Sequence, residues 1–389
     1  MATSNTLTGI IPTLYEAMNV VSREMVGFIP AVRLDSNVQR AAVNQTVRSP
    51  VGSAGALEDI TPGATPAASG GTTVDYVDVT MTRAKAAPIL WSGEEQLGVG
   101  TNGTLNQILV DQFADGMRKI VNLMEQDIAA AVKVASSRAY GTAGAAPFGT
   151  AGDLSDFAQL AKILEDNGAP LSDLQFVGNS SAIANLRGKQ SVLFKVNEAG
   201  SSDMLRTGMT DRIQNFAIRN SAGISQHVKG AGTGYDVDLT AGYAVGDRTI
   251  HLDGGTVNTT GIKAGDCVTF AGDSNIYVVN TGTTDVEADI VIGKPGLRAT
   301  LADTVEMTIG NSYTPNFGFA RSAVVLATRA PALPNGGDSA DDRTQIVDPV
   351  SGLTFEVSLY RQYRQVKYEI AAVWGVGTPN GAHIATLLG

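Results

Sequence analysis

The chain contains few residues of the kinds that usually carry out catalysis or bind metals. Its 389 residues include one cysteine, Cys267, and three histidines, His227, His251 and His383. One cysteine excludes an internal disulfide, and the histidines stand far apart without a zinc-type spacing. No nucleophile stands in a recognisable arrangement with a base. We therefore expect a protein that is not an enzyme, with no catalytic residue, no cofactor and no bound metal.

Long apolar runs and clusters of basic residues are also missing. No window approaches the roughly 18 apolar residues that would span a bilayer, and the N-terminus lacks the basic region and apolar run of a secretory leader. We therefore expect no membrane placement and a protein made in a reducing cytoplasm. The net charge is −10 at pH 7. Because no Lys/Arg cluster could neutralise many phosphates, the sequence argues against tight, extensive phosphate binding and leaves weak, non-specific contact with nucleic acid open.

What the chain does contain is enough apolar sequence for a large core and one distinctive β-rich stretch. Hydrophobic residues make up 43% of the chain, which supports two or three folded domains. Residues 229–311 have nine Asp and two Glu against three Lys and two Arg, a net charge of −6. Short strand patterns separated by Gly and Asp turns predict a small barrel or sandwich there, inserted into the rest of the chain. The predicted strands are 235–239, 248–252, 266–271, 275–279, 286–292 and 304–309.

The strongest helical pattern runs over residues 104–136. Thr104 and Gln107 fit a capping box, in which each side chain satisfies a backbone amide at the start of a helix. An apolar stripe follows at spacings of four and three. Its members are Leu109, Phe113, Met117, Ile120, Met124, Ile128, Ala131 and Ala135. At 1.5 Å per residue the helix is roughly 50 Å long, well over the usual globular length, which predicts a structural spine.

A second apolar stripe lies near the N-terminus and predicts a helix that stops at Pro30. Its members are Leu14, Met18, Val21, Met25 and Phe28. Such a stripe most often packs into the core of its own chain. A partner-facing arm is the alternative, because chain termini are usually loose unless they are docked.

Two strand patterns, 43–51 and 73–91, predict a long hairpin. In the second strand Val77, Val79 and Met81 alternate with polar residues. The tip between the strands, 52–71, is rich in Gly, Pro, Ala, Ser and Thr. A two-stranded ribbon is marginally stable in water, so we expect the hairpin to lie on something else, and another subunit is one candidate.

The rest of the chain predicts a mixed α+β framework. A helix capped by Asp153 ends at the Asn167-Gly168 stop signal. The acidic loop 331–342, with Asp338, Asp341 and Asp342, lacks the spacing of a calcium loop, so a mobile, solvated loop is favoured over a Ca²⁺ site. The other predicted elements are a helix over 180–186 and strands over 174–177, 213–218, 323–328, 353–359 and 368–376.

This order of parts, together with three stretches of sequence, resembles the major capsid (coat) protein of tailed bacteriophages. The stretches are 261–272 (GIKAGDCVTFAG), 319–331 (FARSAVVLATRAP) and 368–379 (YEIAAVWGVGTP). The family has the Hong Kong 97-like fold, and the resemblance is to the subtype that carries an inserted β-barrel domain. The order of elements covers nearly the whole chain, whereas residue-level similarity is confined to the three stretches.

The resemblance implies an α+β fold with an N-terminal arm, an extended hairpin loop, a long spine helix, and peripheral and axial domains. The implied divisions are an N-terminal arm at 1–42, the extended β-hairpin loop at 43–92, the spine helix and peripheral domain at 93–152, an axial and peripheral α+β body at 153–227, the inserted β-barrel at 228–311, and returning axial and peripheral strands at 312–389.

The resemblance also implies a function. Pentamers and hexamers of the chain would self-assemble in the host bacterial cytoplasm into the icosahedral capsid of a virion that encloses double-stranded DNA. Implied partners are further copies of the chain, a scaffolding protein, a portal protein and a decoration protein. Alternatives are an encapsulin-like protein compartment and a carbohydrate-binding or tail-associated β-module protein. The candidate intersubunit-contact residues are Leu14, Met18, Val21, Met25, Phe28, Val77, Val79, Met81, Tyr235, Asp236 and Asp238.

Overall fold

A computed structural model of the chain describes residues 17, 27–51, 75–100, 105–150, 153–188, 212–256, 260–348 and 351–389. The helices are α1 (Gly93–Gly100), α2 (Leu105–Ala135), α3 (Ser155–Asp166) and α4 (Ser180–Gly188). The strands are β1 (Arg33–Ala41), β2 (Thr46–Val51), β3 (Asp75–Thr80), β4 (Arg83–Ser92), β5 (Arg138–Tyr140), β6 (Leu174–Gly178), β7 (Arg212–Ile213), β8 (Phe216–Asn220), β9 (Tyr235–Val237), β10 (Thr249–Asp253), β11 (Cys267–Phe270), β12 (Ile276–Thr281), β13 (Ala288–Ile292), β14 (Glu306–Ile309), β15 (Pro315–Ala320), β16 (Val325–Pro331), β17 (Asp342–Val347), β18 (Thr354–Gln362), β19 (Gln365–Gly377) and β20 (Ile384–Leu388). No helix among these residues is long and apolar enough to cross a membrane.

The first sheet is built around the long strand β19 and supports helix α2. Its order is β1-β16-β19-β18-β17, and β4 also pairs with β19. The 31-residue helix, about 46 Å long, lies against β4 and β19. A Cβ on Gly116 would stand 3.2 Å from the Ala87 Cβ and 3.3 Å from the Ile370 Cδ1. The helix therefore packs closest to the sheet at a residue without a side chain.

The buried side chains of α2 form the main hydrophobic core together with buried side chains from the surrounding parts of the chain. The predicted spine helix is confirmed, with one change in its stripe: Val132 is fully buried and Ala131 only partly. Trp374 on β19 is fully buried in this core, and its indole nitrogen donates to Asp127 Oδ2 at 2.9 Å. The side chains of the predicted cap residues Thr104 and Gln107 lie outside the part of the chain that the structure describes.

The second sheet continues from the inserted barrel: β12 pairs with β5, and the order runs on as β5-β20-β15-β6-β8-β7. This part of the sheet packs against α3 and α4 around its own core. Phe157 of α3 is fully buried, and its ring lies 5.0 Å from that of Phe176 on β6. Helix α3 begins at Ser155, and its N-cap residue is Leu154. The N-cap is therefore one residue later than predicted, and Asp153 accepts from the Ser155 amide at 2.8 Å in a local turn.

The segment between β8 and β15 forms a closed six-stranded barrel. Its strands follow the order β11-β14-β9-β10-β13-β12, and β12 returns to pair with β11. All six strands predicted from the turn spacing are confirmed, as is the mixed α+β class. Inward side chains such as Tyr235, Ile250 and Tyr277 are fully buried in a separate hydrophobic core. Closure leaves the barrel with no free strand edge along its ring.

Several strands differ from the sequence-based prediction. The pattern over 73–91 forms two strands, because the chain changes partner at Met81 and Thr82. The Met81 amide donates to the Gln45 carbonyl, whereas the Thr82 amide donates to the Trp374 carbonyl. The predicted strand over 213–218 is likewise split into β7 and β8, which form a small hairpin. The strands missed by the prediction are β1, β5, β15, β17 and β20.

Candidate assembly surfaces

Strands β2 and β3 form a two-stranded sheet that pairs with no other described strand. Their antiparallel register runs from Thr46 opposite Thr80 to Val51 opposite Asp75. On one face Arg48 lies 3.2 Å from Asp78 and 4.2 Å from the centre of the Tyr76 ring, and Tyr76 is 49% exposed. A ribbon of two strands has little apolar area to bury by itself, so this hairpin is the first candidate surface for a neighbouring molecule.

The base of the hairpin is fixed to the body by close backbone packing on β19. A Cβ on Gly375 would stand 2.1 Å from the Thr80 carbonyl oxygen, and one on Gly377 would stand 2.6 Å from Val79 Cγ2. Glycine at these two positions lets β3 lie directly on β19. The direction in which the hairpin leaves the body is therefore set by β19.

Four of the predicted contact residues lie inside their own chain. Phe28, Met81 and Tyr235 are fully buried, and Val79 is 1% exposed. The Phe28 ring packs against Phe317 and Phe319 of the main core. Because their own chain already covers them, these four are core residues, which corrects that part of the prediction. Alternation in a strand and periodicity in a helix show which face is apolar, but not what covers it.

The other predicted contact residues are not tested by these observations. Asp236 is partly exposed and Asp238 is exposed on the barrel surface. Val77 pairs with Ser49 through the backbone, and its side chain lies outside the described residues. Leu14, Met18, Val21 and Met25 also lie outside them.

The N-terminal entry, residues 27–29, is held against α2 by one buried carboxylate. Glu125 is 1% exposed and accepts from the Phe28 and Ile29 amides at 2.9 Å and from the Ser221 hydroxyl at 2.6 Å. Burial raises the pKa of Glu125, and the hydrogen bonds from Ser221 and the backbone oppose that rise. The arrangement fixes residues 27–29 against α2. Sequence periodicity gave no sign of it, because Glu125 interrupts an otherwise apolar helix face.

Two segments join the barrel to the body, and a buried pair fixes the entering segment to the barrel. The His227 Nε2 lies 2.7 Å from Asp266 Oδ1, and Asp266 also accepts from the Gly230 and Lys263 amides. Tyr313, in the segment leaving the barrel, exchanges backbone hydrogen bonds with His227 and donates its hydroxyl to the Gly265 carbonyl. These hydrogen bonds form a joint that fixes the barrel to the two connecting segments.

Cys267 lies beside this joint and does not have the properties of a nucleophile. Its side chain is buried, and burial raises the pKa of its thiol to about 12. A neutral, inaccessible thiol neither attacks a substrate nor binds a metal as a thiolate. The expectation that Cys267 is a small core residue is confirmed.

A groove of about 500 Å³ runs beside β4 and the first half of α2. Residues along it include Lys85, Pro88, Leu90 and Lys119, and Leu90 is 48% exposed. A groove lined by both apolar and charged side chains can accept an extended segment. It is the second candidate surface for a neighbouring molecule.

The acidic loop 331–342 is partly tied to the first sheet. Asp338 forms an ion pair with Arg343 and accepts from the Tyr360 hydroxyl at 2.9 Å. These contacts lower the pKa of Asp338. Asp341 pairs with Arg361 at 3.0 Å. Two of the three aspartates therefore pair with arginines, which is consistent with the expectation that this loop is not a Ca²⁺ site.

No protein-family model matches the chain, and no curated protein matches it. Among solved structures, the chain is similar to the capsid structure of the cyanophage P-SCSP1u, with 9% identity, a TM-score of 0.46 and coverage of 94% of this chain and 88% of that one. It is similar to the mature capsid of bacteriophage PhiM1, with 11% identity, a TM-score of 0.44 and coverage of 93% and 87%. It is also similar to a virus-like particle from Pyrococcus furiosus, with 8% identity, a TM-score of 0.44 and coverage of 97% and 98%.

Proposed function

We propose that the chain is the major capsid protein of a tailed bacteriophage and that it assembles as pentamers and hexamers into an icosahedral shell around double-stranded DNA. The observation that carries the proposal is the hairpin β2–β3. It extends from a well-packed body, pairs with no other described strand and exposes Arg48, Asp78 and Tyr76. Another copy of the chain would supply the surface that such a ribbon needs.

The rest of the architecture supports the same function. Helix α2 and the first sheet form one packed unit, and the order of hairpin, spine helix, second sheet and inserted barrel is the order that the family resemblance implies. The groove beside β4 and α2 is a place where a neighbouring chain could lie. Many weak contacts of this kind, engaged together, would hold a shell through effective concentration, while each one alone lets a misplaced subunit leave.

The acidic balance of the chain suits an inner surface that does not bind DNA tightly. A lining that neutralised many phosphates would hinder movement of the genome during packaging and release. The role needs no catalysis and no cofactor. A scaffolding protein, a portal protein and a decoration protein are further partners in this proposal, with assembly in the host bacterial cytoplasm.

The first experiment is to express the full chain alone and to analyse the lysate by sedimentation and negative-stain electron microscopy. We expect closed shells or aberrant spirals. Arg48→Ala together with Tyr76→Ala should reduce the assembled fraction, whereas the matched exposed change Thr249→Ala on the barrel should leave it unchanged. A chain that stays monomeric or dimeric when concentrated would contradict the proposal.

The alternative of an encapsulin-like compartment also predicts closed shells. The contents of the particle separate the two: nuclease-protected double-stranded DNA in particles from phage-producing cells supports a capsid, and enclosed cargo protein without DNA supports a compartment. A carbohydrate-binding or tail-associated protein would form no shell at all, and a glycan array would show its ligand.

A further inference from the structure

One histidine stands among carboxylates on the outer face of the barrel. On β10, Ile250 and Leu252 point into the barrel core and are fully buried. Because side chains alternate along a strand, His251 points outward. Asp289 lies directly opposite it on β13, and on the other side the Asp238 amide donates to the His251 carbonyl at 3.1 Å. Glu287, two residues before Asp289, shares this face.

The ligand atoms of three of these residues converge. A ring nitrogen of His251 and one carboxylate oxygen each from Asp238 and Glu287 all lie within 4.8 Å of one another. Ligands bound at about 2.0–2.2 Å from one metal ion are separated by roughly 3–4.4 Å. The observed limit of 4.8 Å exceeds this range only slightly. Rotation of the Glu287 side chain, which is 68% exposed, can close the difference.

Asp289 lies outside this trio and orients the histidine. The His251 Nδ1 lies 2.7 Å from Asp289 Oδ1, a hydrogen bond in which the ring donates. The other ring nitrogen, Nε2, lies 3.7 Å from Glu287 Oε1. That distance is too long for a hydrogen bond. A carboxylate that holds the far nitrogen of an imidazole is the usual companion of a metal-binding histidine, because it fixes the tautomer and the ring orientation.

The charges around the trio also favour a cation. Asp236 and Asp253 pair in register on the neighbouring positions of β9 and β10, and Glu306 stands opposite Asp236 on β14. Among the described residues, none of the carboxylates on this face forms an ion pair with a lysine or arginine. Like charges on adjacent strands repel one another, so a bound cation would relieve a real electrostatic cost.

We propose that His251, Asp238 and Glu287 bind a divalent transition-metal ion on the barrel surface, with Asp289 as a positioning residue. One imidazole nitrogen and two carboxylate oxygens suit Zn²⁺, Co²⁺ or Mn²⁺ better than Mg²⁺, which prefers all-oxygen ligands. Water would complete the coordination. The proposal departs from the expectation of a chain without a metal, which the structure does not test, and it does not depend on the proposed capsid function.

The test is calorimetric titration of Zn²⁺ into the untagged full chain, since a polyhistidine tag would bind the same ion. We expect one ion per chain. His251→Gln should abolish this binding, and Asp289→Asn should weaken it about 10-fold, at the lower end of the effect of losing an orienting carboxylate. Glu287→Gln should weaken it strongly, whereas Glu306→Gln removes the same charge from the same face and should change the affinity less than about twofold.

Three outcomes would overturn the site. The wild-type chain could take up no Zn²⁺ at a 1:1 ratio, His251→Gln could bind as tightly as wild type, or Glu306→Gln could weaken binding as much as Glu287→Gln, which would indicate diffuse attraction to an acidic face. All substitutions are at exposed or partly exposed positions, and circular dichroism verifies their folding. Shell formation is scored separately by microscopy, so failure of the metal site and failure of the capsid proposal are distinguishable.

Discussion

The barrel and the hairpin are both made of short antiparallel strands, but only the barrel encloses a hydrophobic core of its own. The barrel closes through the β11–β12 pair and encloses fully buried side chains such as Tyr277 and Ile290. The hairpin has two strands: Val79, with Val47 opposite it, packs into a small cluster with body residues, whereas on the exposed face Arg48 contacts Tyr76 and Asp78. A closed set of strands surrounds its own hydrophobic core, whereas an open two-stranded ribbon is stable only when it packs against a neighbouring surface.

The largest expected effect is loss of a barrel core residue. Tyr277→Ala removes a fully buried ring whose hydroxyl donates to Asp273 at 2.6 Å and accepts from the Arg298 amide at 2.9 Å. Large-to-small changes of this kind cost about 3–5 kcal/mol. Hydrogen exchange followed by mass spectrometry should show lost protection in the barrel and retained protection in α2. If both regions lose protection together, the barrel is not an independent unit.

A second variant tests a region that belongs neither to the barrel nor to the hairpin, the N-terminal entry. Glu125→Gln places an amide group among the donors of Phe28, Ile29 and Ser221, so that a buried donor loses its acceptor. We expect the free energy of unfolding to fall by about 2–4 kcal/mol. Urea denaturation measures it. Asp115→Asn, exposed on the same helix, is the matched control and should change it by less than about 0.5 kcal/mol.

The Glu125 carboxyl also predicts a pH dependence. Because burial raises its pKa above the ordinary value of 4.5, the folded chain holds this proton more tightly than the unfolded chain does. Its contribution to stability is therefore present below pH 4.5 and is lost as the pH rises through the higher pKa of the folded state. Subtracting the pH profile of Glu125→Gln from that of wild type isolates this slope. A difference that grows in favour of wild type with rising pH would contradict the prediction.

Gly375→Ala tests whether β19 directs the hairpin. The added Cβ would clash with the Thr80 carbonyl at 2.1 Å, and relief requires the base of the hairpin to move. We expect a loss of about 1–3 kcal/mol from overpacking, together with malformed assemblies in electron micrographs. Gly98→Ala, where a Cβ would meet nothing within 4 Å, is the control. Normal particles from Gly375→Ala would show that the hairpin direction does not matter for assembly.

The smallest effect on stability is expected on the exposed face of the hairpin. Arg48→Ala removes an exposed ion pair with Asp78 and a contact over Tyr76, each of which contributes about 1 kcal/mol or less. The melting temperature of the isolated chain should hardly change, while the assembled fraction falls. A clear drop in melting temperature with unchanged assembly would reverse the comparison, since the hairpin would then stabilise its own subunit.

Local patterns predicted the elements whose identity depends on neighbouring residues. Turn residues at short intervals set all six barrel strands, and spacings of three and four residues set α2. Strand β1 was missed because its partner is β16, about 290 residues away, with Arg33 opposite Val325. Strand β20 was missed for a similar reason, since its neighbours are β15 and β5. Such strands are held by distant partners and carry little local signal.

The candidate sites divide in the same way. The hairpin was predicted from its two strand patterns, but the burial of Val79 and Met81 was not, because alternation does not say which chain covers the apolar face. His251 carried no zinc-type spacing, and its partners lie elsewhere in the chain, Asp238 just after β9, Glu287 just before β13 and Asp289 on β13. A motif search cannot find a cluster that exists only after the barrel has closed and placed β9, β10 and β13 side by side.

The sequence by itself determined the mixed α+β class, the spine helix and the acidic inserted barrel, because helical and strand periodicities and turn residues act over a few positions. Only the tertiary structure decided that Glu125 anchors the N-terminal entry, that Gly375 and Gly377 seat the hairpin on β19, and that Asp266 joins the barrel to the body. These contacts unite residues far apart in the chain. Their energy comes from burial and from hydrogen bonds that exist only when the folded chain brings the partners together.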